Sequence, residues 1–209
     1  MKKEIEIQTE ETIFDNYLKI DKANIKHSKI NGDILEYPRF KLVRPDAVAA
    51  LVLNVDTNNV ILVKQFRYPI ANRESENIFE IVAGKIDKGE TPEQSICREI
   101  MEEIGYLIDE SDLELKKEIY PSPGYSTEKI YTYIVRVNNA MKTSNGGGVE
   151  SEQENLEIVE MPVDEFISLC REGKIIDAKT LLASHILFLQ SIEILIDKNY
   201  TISKLNPQK

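Results

Sequence analysis

The stretch from Thr91 to Gly105 constrains this chain most, because it marks a helix at both ends. Thr91 is a good N-cap residue, and Pro92 follows at the first helical position, where its missing N–H is not needed. Gly105 supplies the left-handed residue that commonly stops a helix. Ahead of the helix, Gly84 to Gly89 is a polar loop with a glycine at each end, and Ile78 to Ala83 reads as a strand. A strand, a tight loop and a capped helix are therefore expected in the middle of the chain.

The flanks extend this pattern. Ala47 to Val55 is almost wholly apolar, as a strand buried on both faces would be. Asp56-Thr57-Asn58-Asn59 reads as a turn, and Val60 to Phe66 as the returning hairpin strand. Strands are expected near Leu113 to Tyr120, Lys129 to Val137 and Leu156 to Met161. Helices are expected over Val163 to Glu172 and Asp177 to Lys198. Asn138 to Asn155, with Gly146-Gly147-Gly148, reads as a mobile loop. Residues 1–45 show short alternating segments that suggest two or three strands. The expected class is α+β, an α/β/α sandwich around a mixed sheet (residues 46–209) with a small N-terminal antiparallel sheet (residues 1–45).

Charge narrows the partners. Lys and Arg total 26 against 36 Asp and Glu, a net charge of −10, which disfavours a basic face for duplex nucleic acid. Met1-Lys2-Lys3 leads into Glu4, Glu6, Glu10 and Glu11 and not into the apolar core of a secretory leader. The apolar run Leu181 to Ile196 is broken by Ser184, His185, Gln190, Ser191 and Glu193, so no membrane span is expected. Cys97 and Cys170 form neither a disulfide framework nor a metal motif. The expectation is a cytoplasmic protein with free thiols.

The central helix carries an unusual load. Glu99, Glu102 and Glu103 fall at i, i+3 and i+4, so they share one face with Cβ atoms about 5–6 Å apart. Glu90, in the loop before the helix, can bend toward the same place. Two carboxylates at 4 Å repel by roughly 4 kcal/mol at an effective dielectric near 20. Either Arg98 offsets this as an ion-pair partner, or a hard divalent cation such as Mg²⁺ or Mn²⁺ does so. A merely solvated acidic face is the plainer alternative.

The spacing Gly84, five residues, Glu90, seven residues, Arg98-Glu99-Ile100-Met101-Glu102-Glu103-Ile104-Gly105 resembles the signature box of the Nudix hydrolases. Gly84, Glu90, Arg98, Glu99, Glu102, Glu103 and Gly105 all match its fixed positions. The final slot, commonly aliphatic, is Tyr106. The resemblance implies a Nudix fold and cleavage of nucleoside diphosphates linked to another moiety. It implies two or three Mg²⁺ or Mn²⁺ ions held by Glu99, Glu103, Glu102 and the Ala83 carbonyl. It also implies that Arg98 orients the acids and Glu90 supports the loop, with Gly84 and Gly105 as structural positions.

Outside the box, the chain resembles the branch of that family that cleaves ADP-ribose and nucleotide sugars. Lys64-Gln65-Phe66-Arg67-Tyr68-Pro69 makes Arg67 a candidate phosphate contact, the alternative being a surface ion pair. Pro121-Ser122-Pro123-Gly124-Tyr125-Ser126-Thr127-Glu128 makes Pro123 and Gly124 candidates for shaping a sugar pocket, with Glu128 behind them. In the loop before the last strand, Glu152 is the candidate general base, Glu154 second, with Glu150 nearby. A homodimer through the N-terminal sheet is also implied, with Tyr37 or Phe40 stacking on a base. Glu80 either ends its strand or meets substrate. His27 and His185 show no partner pattern. ADP-ribose is the expected substrate, GDP-mannose or a UDP-sugar the runner-up, and a silent ADP-ribose-binding module the alternative outside enzymes.

Overall fold

The computed structural model describes residues 5–73, 77–149 and 156–205. These divide into two compact units, residues 1–47 with 119–130, and residues 48–118 with 131–209.

The smaller unit is a three-stranded antiparallel sheet of β1 (Ile5–Asp15), β2 (Lys19–Ser28) and β3 (Ile34–Val43), in that order. The returning segment 119–130 joins it through Leu42, whose N–H donates to the Tyr125 carbonyl at 2.7 Å and whose carbonyl accepts from Thr127 at 3.0 Å. Arg44 pairs with Glu128 at 3.6 Å. Every residue of β1 is exposed, Ile5, Ile7, Ile13 and Phe14 included.

The larger unit is built on a mixed sheet. β4 (Ala47–Asn54) and β5 (Asn59–Gln65) form the expected hairpin, and the sheet runs β10 (Glu157–Pro162), β5, β4, β9 (Ile130–Val137), β8 (Leu113–Ile119). The single strand expected over Ile78 to Ala83 is two: β6 (Ile78–Glu80) pairs with β5 and β7 (Val82–Lys85) pairs with β4. The break falls at Ile81, whose N–H donates sideways to the Thr180 hydroxyl at 2.9 Å.

Both faces of this sheet are covered, which is why β4 is apolar at nearly every position. Val48, Ala50, Val52, Ile61 and Val63 pack against Ile96, Ile100 and Ile104 of α1 (Pro92–Ile104). The alternate positions Ala49, Leu51, Val60 and Leu62 are equally inaccessible, with Phe166 of α2 (Val163–Arg171) and Ala183 of α3 (Ala178–Leu205) also buried. The class is α+β, as the sequence led one to expect. No helix of the described residues is long and apolar enough to cross a membrane.

The described part of the expected loop, Asn138 to Asn155, is hydrogen-bonded to the end of α1 through residues 143–148. The Thr143 and Ser144 N–H groups donate to the Gly105 carbonyl, Gly147 N–H to Glu103 at 2.8 Å, and Gly148 N–H to Glu102 at 3.1 Å. These bonds satisfy carbonyls that a helix end otherwise leaves open. A Cβ on Gly146 (φ +63°) would come within 2.5 Å of the Glu103 carbonyl oxygen, so glycine is what lets this segment lie so close.

Candidate active site

The acidic face is positioned by α1, whose start is a reciprocal capping box. Thr91 Oγ1 accepts from Gln94 N–H at 3.2 Å, and Gln94 Oε1 accepts from Thr91 N–H at 3.0 Å. Gly105 closes the helix with φ +78°. The buried side therefore carries two acids, Glu99 and Glu103, beside the three isoleucines.

Arg98 is the hub. Its Nε and Nη2 grip Glu90 as a fork at 3.0 and 3.1 Å. Its Nη1 donates to both Glu99 Oε1 and Glu102 Oε2, each at 2.8 Å, and Nη2 also reaches the Lys85 carbonyl at 3.2 Å. Its proton is held far more tightly than in free arginine, first by the bond to Glu90 and then by Glu99 and Glu102 against the cost of burial. The same bond, helped by the Asp87 N–H, holds the Glu90 carboxyl below its ordinary range. Of the two offsets the sequence left open, the ion pair is thus formed.

The residues also suit a hard cation. Gly84 is a cradle: a Cβ there would sit 1.9 Å from Glu99 Oε1, so only glycine admits that carboxylate against the backbone that carries the Ala83 carbonyl. Carboxylate and carbonyl oxygens are the donor set of Mg²⁺ and Mn²⁺. As the side chains stand, no three acidic, His or Cys groups among the described residues are gathered closely enough to enclose an ion. Arg98 Nη1 bridges Glu99 and Glu102, and a bound cation would compete with it for both.

Arg67, beyond the end of β5, is not a loose surface pair. Its Nε donates to Glu80 Oε1 at 2.6 Å and its Nη2 to Glu80 Oε2 at 2.9 Å. Glu80 is 2% exposed and is also bonded by Lys179. Lys179 pairs in turn with Asp177 at 3.0 Å, which caps α3 by accepting from Thr180 N–H and hydroxyl. Burial raises the Glu80 pKa, but Arg67 and Lys179 outweigh it and hold the carboxyl below its ordinary value. Arg67 holds its proton more tightly because of Glu80 first, with smaller contributions from Asp177 and Glu103.

Sequence reading did not find Lys179, Asp177 or Thr180. The signal was Glu80 itself, an acid inside an apolar strand, which must have a cationic partner somewhere.

The remaining candidates fall as follows. Pro123 and Gly124 form a turn in the smaller unit, closed by Tyr125 and Ser126 N–H groups on the Ser122 carbonyl. Tyr37 donates to or accepts from His27 Nδ1 at 2.8 Å and lies under the Arg39 guanidinium at 3.9 Å, while Phe40 is exposed. His185 contacts the Leu181 carbonyl one helical turn back. Cys97 is half-buried against the core, and burial pushes its thiol up to about 11. Tyr106 fills the atypical slot at the box end, buried, with its hydroxyl accepting from Asn54 Nδ2 at 3.3 Å. Glu150, Glu152 and Glu154 lie outside the described residues.

The NUDIX domain model matches residues 43–183. The chain is 31% identical over 196 residues to the GDP-mannose pyrophosphatase of Citrobacter koseri, covering 92% of this chain and 99% of that protein. It is 31% identical over 190 residues to the GDP-mannose pyrophosphatase of Cronobacter sakazakii, covering 90% and 97%. A crystal structure described as an ADP compounds hydrolase shares the fold, with TM-score 0.68 and 19% identity over 89% of this chain and 93% of that one. The chain belongs to the Nudix family, among its pyrophosphatases. Hydrolases of this family generally use divalent metals such as Mg²⁺.

Proposed function

We propose that this protein cleaves the diphosphate of a nucleoside diphosphate sugar to a nucleoside monophosphate and a sugar phosphate, with Mg²⁺ or Mn²⁺ as cofactor. The observation that supports it most is the cradle at Gly84, which places the Glu99 carboxylate against the box backbone on the face that also carries Glu103. The relatives bring GDP-mannose to the front as substrate. ADP-ribose, favoured by the Pro123-Gly124 segment, is the second compound to assay.

In this reading Glu99, Glu103, Glu102 and the Ala83 carbonyl hold two or three ions. Bound there, the metal neutralises phosphate charge and acidifies water. Arg98 keeps the acids oriented and Glu90 steadies Arg98. Arg67 meets a phosphate oxygen. Glu152, with Glu154 as second candidate, takes the proton of the water whose oxygen bonds to phosphorus as the bridging P–O bond breaks. A homodimer through the smaller unit and a cytoplasmic setting belong to the same reading, and the exposed apolar residues of β1 favour the first.

The test is steady-state assay of a nucleotide-sugar panel with Mg²⁺ and Mn²⁺. Cleavage should need the metal and favour one sugar nucleotide. Glu103→Gln should lower turnover by roughly a hundredfold or more while circular dichroism stays unchanged. A folded Glu103→Gln protein with undiminished turnover would remove the assignment.

A further inference from the structure

The Glu80 carboxylate is more elaborately held than a surface ion pair requires. It is inaccessible, and both of its oxygens are taken by cations from different elements. Exposed pairs contribute little to stability, and buried ones are often no more stable than an apolar replacement. The arrangement therefore calls for another reason.

Geometry supplies one. Arg67 follows β5 in an extended conformation, just before the short 3-10 turn Tyr68–Ile70, so its long side chain has no helix or central strand to orient it. The fork to Glu80 uses Nε and Nη2, which fixes the plane of the guanidinium and directs its Nη1 edge away from Glu80. The Arg67 side chain is 42% exposed, so it is not sealed in the core with its partner. Glu80 is fixed in turn by Lys179, Asp177 and Thr180, and Thr180 bonds the N–H of Ile81, the residue beside Glu80. The ring runs from strand to helix and back to the same strand. With both oxygens engaged by Arg67 and Lys179, Glu80 presents no bare charge to an anion that meets the exposed edge of Arg67.

We propose that Glu80 is the positioning residue for Arg67, holding its guanidinium at a set angle beside the acidic face of α1, where the substrate diphosphate is cleaved. This rests on the functional reading above. Glutamine at this position can accept from one cation, but its amide then faces the other, so Arg67 loses its fixed plane while its own side chain is untouched.

The experiment is a kinetic cycle with GDP-mannose and ADP-ribose in Mg²⁺, using wild type, Glu80→Gln, Glu80→Asp, Arg67→Ala and the Arg67→Ala/Glu80→Gln double variant. Folding is followed by circular dichroism. Glu80→Gln should raise KM about tenfold with kcat within about threefold, and Glu80→Asp should recover part of the loss. In the Arg67→Ala background, Glu80→Gln should change KM by less than about twofold, since there is nothing left to position. A folded Glu80→Gln protein with wild-type KM, or effects that multiply in the double variant, would overturn the proposal. Should Glu80→Gln fail to fold, Glu80→Asp decides: a KM raised about threefold or more supports it, and an unchanged KM overturns it. If the wild-type enzyme cleaves neither compound, the functional reading falls. Calorimetric titration with magnesium pyrophosphate then decides positioning by the same cycle, with binding weakened about tenfold by Glu80→Gln but not further in the Arg67→Ala background.

Discussion

Arg98 and Glu80 are opposite solutions to the placing of charge in one unit. At Arg98 a single guanidinium serves Glu90, Glu99 and Glu102. At Glu80 a single buried carboxylate serves Arg67 and Lys179. The first leaves acid in excess, with Glu103 buried on the same face, and that excess suits a divalent cation. The second leaves a cation partly exposed beside it, which suits an anion. A metal-bound diphosphate presents both kinds of charge, so on the proposed reading the two arrangements would divide the work of holding it.

Removing each hub should have different consequences. Arg98→Gln strands Glu99, Glu102 and Glu90 together and should lower stability by about 2–3 kcal/mol, read from urea unfolding. It should also let turnover saturate at a lower metal concentration, because the ion no longer competes with Arg98 for Glu99 and Glu102. An Arg98→Gln protein as stable as wild type would mean that the acids are solvated and the hub is incidental.

Glu80 should declare itself in acid. Its carboxyl titrates lower in the folded protein than its ordinary 4.5, so the unfolded chain takes up the proton first. The stability it contributes is present above pH 4.5 and is lost as pH falls through the lowered folded value. Glu80→Gln should therefore flatten the acid limb of the stability curve and leave the neutral-to-alkaline slope unchanged. An acid limb of wild-type steepness would show that the pair is not formed in solution.

The smallest effect is expected where the box departs from its usual pattern. Tyr106→Phe removes one hydroxyl from a buried pair with Asn54, and Asn54 retains Asn139 as an acceptor at 2.8 Å. Loss of about 1 kcal/mol of stability with kcat/KM unchanged is the outcome expected. A larger loss of activity would give the end of α1 a part in the site beyond packing.

How much was readable in advance follows from the range of the forces involved. The Thr91 cap, the Gly105 stop and the alternation of acids and isoleucines on α1 are local, and the sequence shows them directly. The Arg98 hub lies within one helix and its entry loop, so spacing alone brought its partners into view. The Glu80 ring joins residues 13 and 99 positions away, and no local pattern announces such pairings. The break at Ile81 was invisible for the same reason, since its partner is Thr180. The contacts of residues 143–148 with the end of α1 were not legible either: three glycines read as freedom, and nothing local shows that Gly146 permits close approach to the Glu103 carbonyl. What the relatives add is family membership, which no distance inside the chain could have supplied.

The central claim is that the acids after Arg98 hold a divalent cation despite Arg98. Titration of Mn²⁺ into the wild-type protein, followed by electron paramagnetic resonance, tests it most directly when repeated on Glu103→Gln. Saturable binding to the wild type, competed by Mg²⁺ and lost in the variant, is the predicted result. Equal binding by both proteins, or none by either, would contradict it.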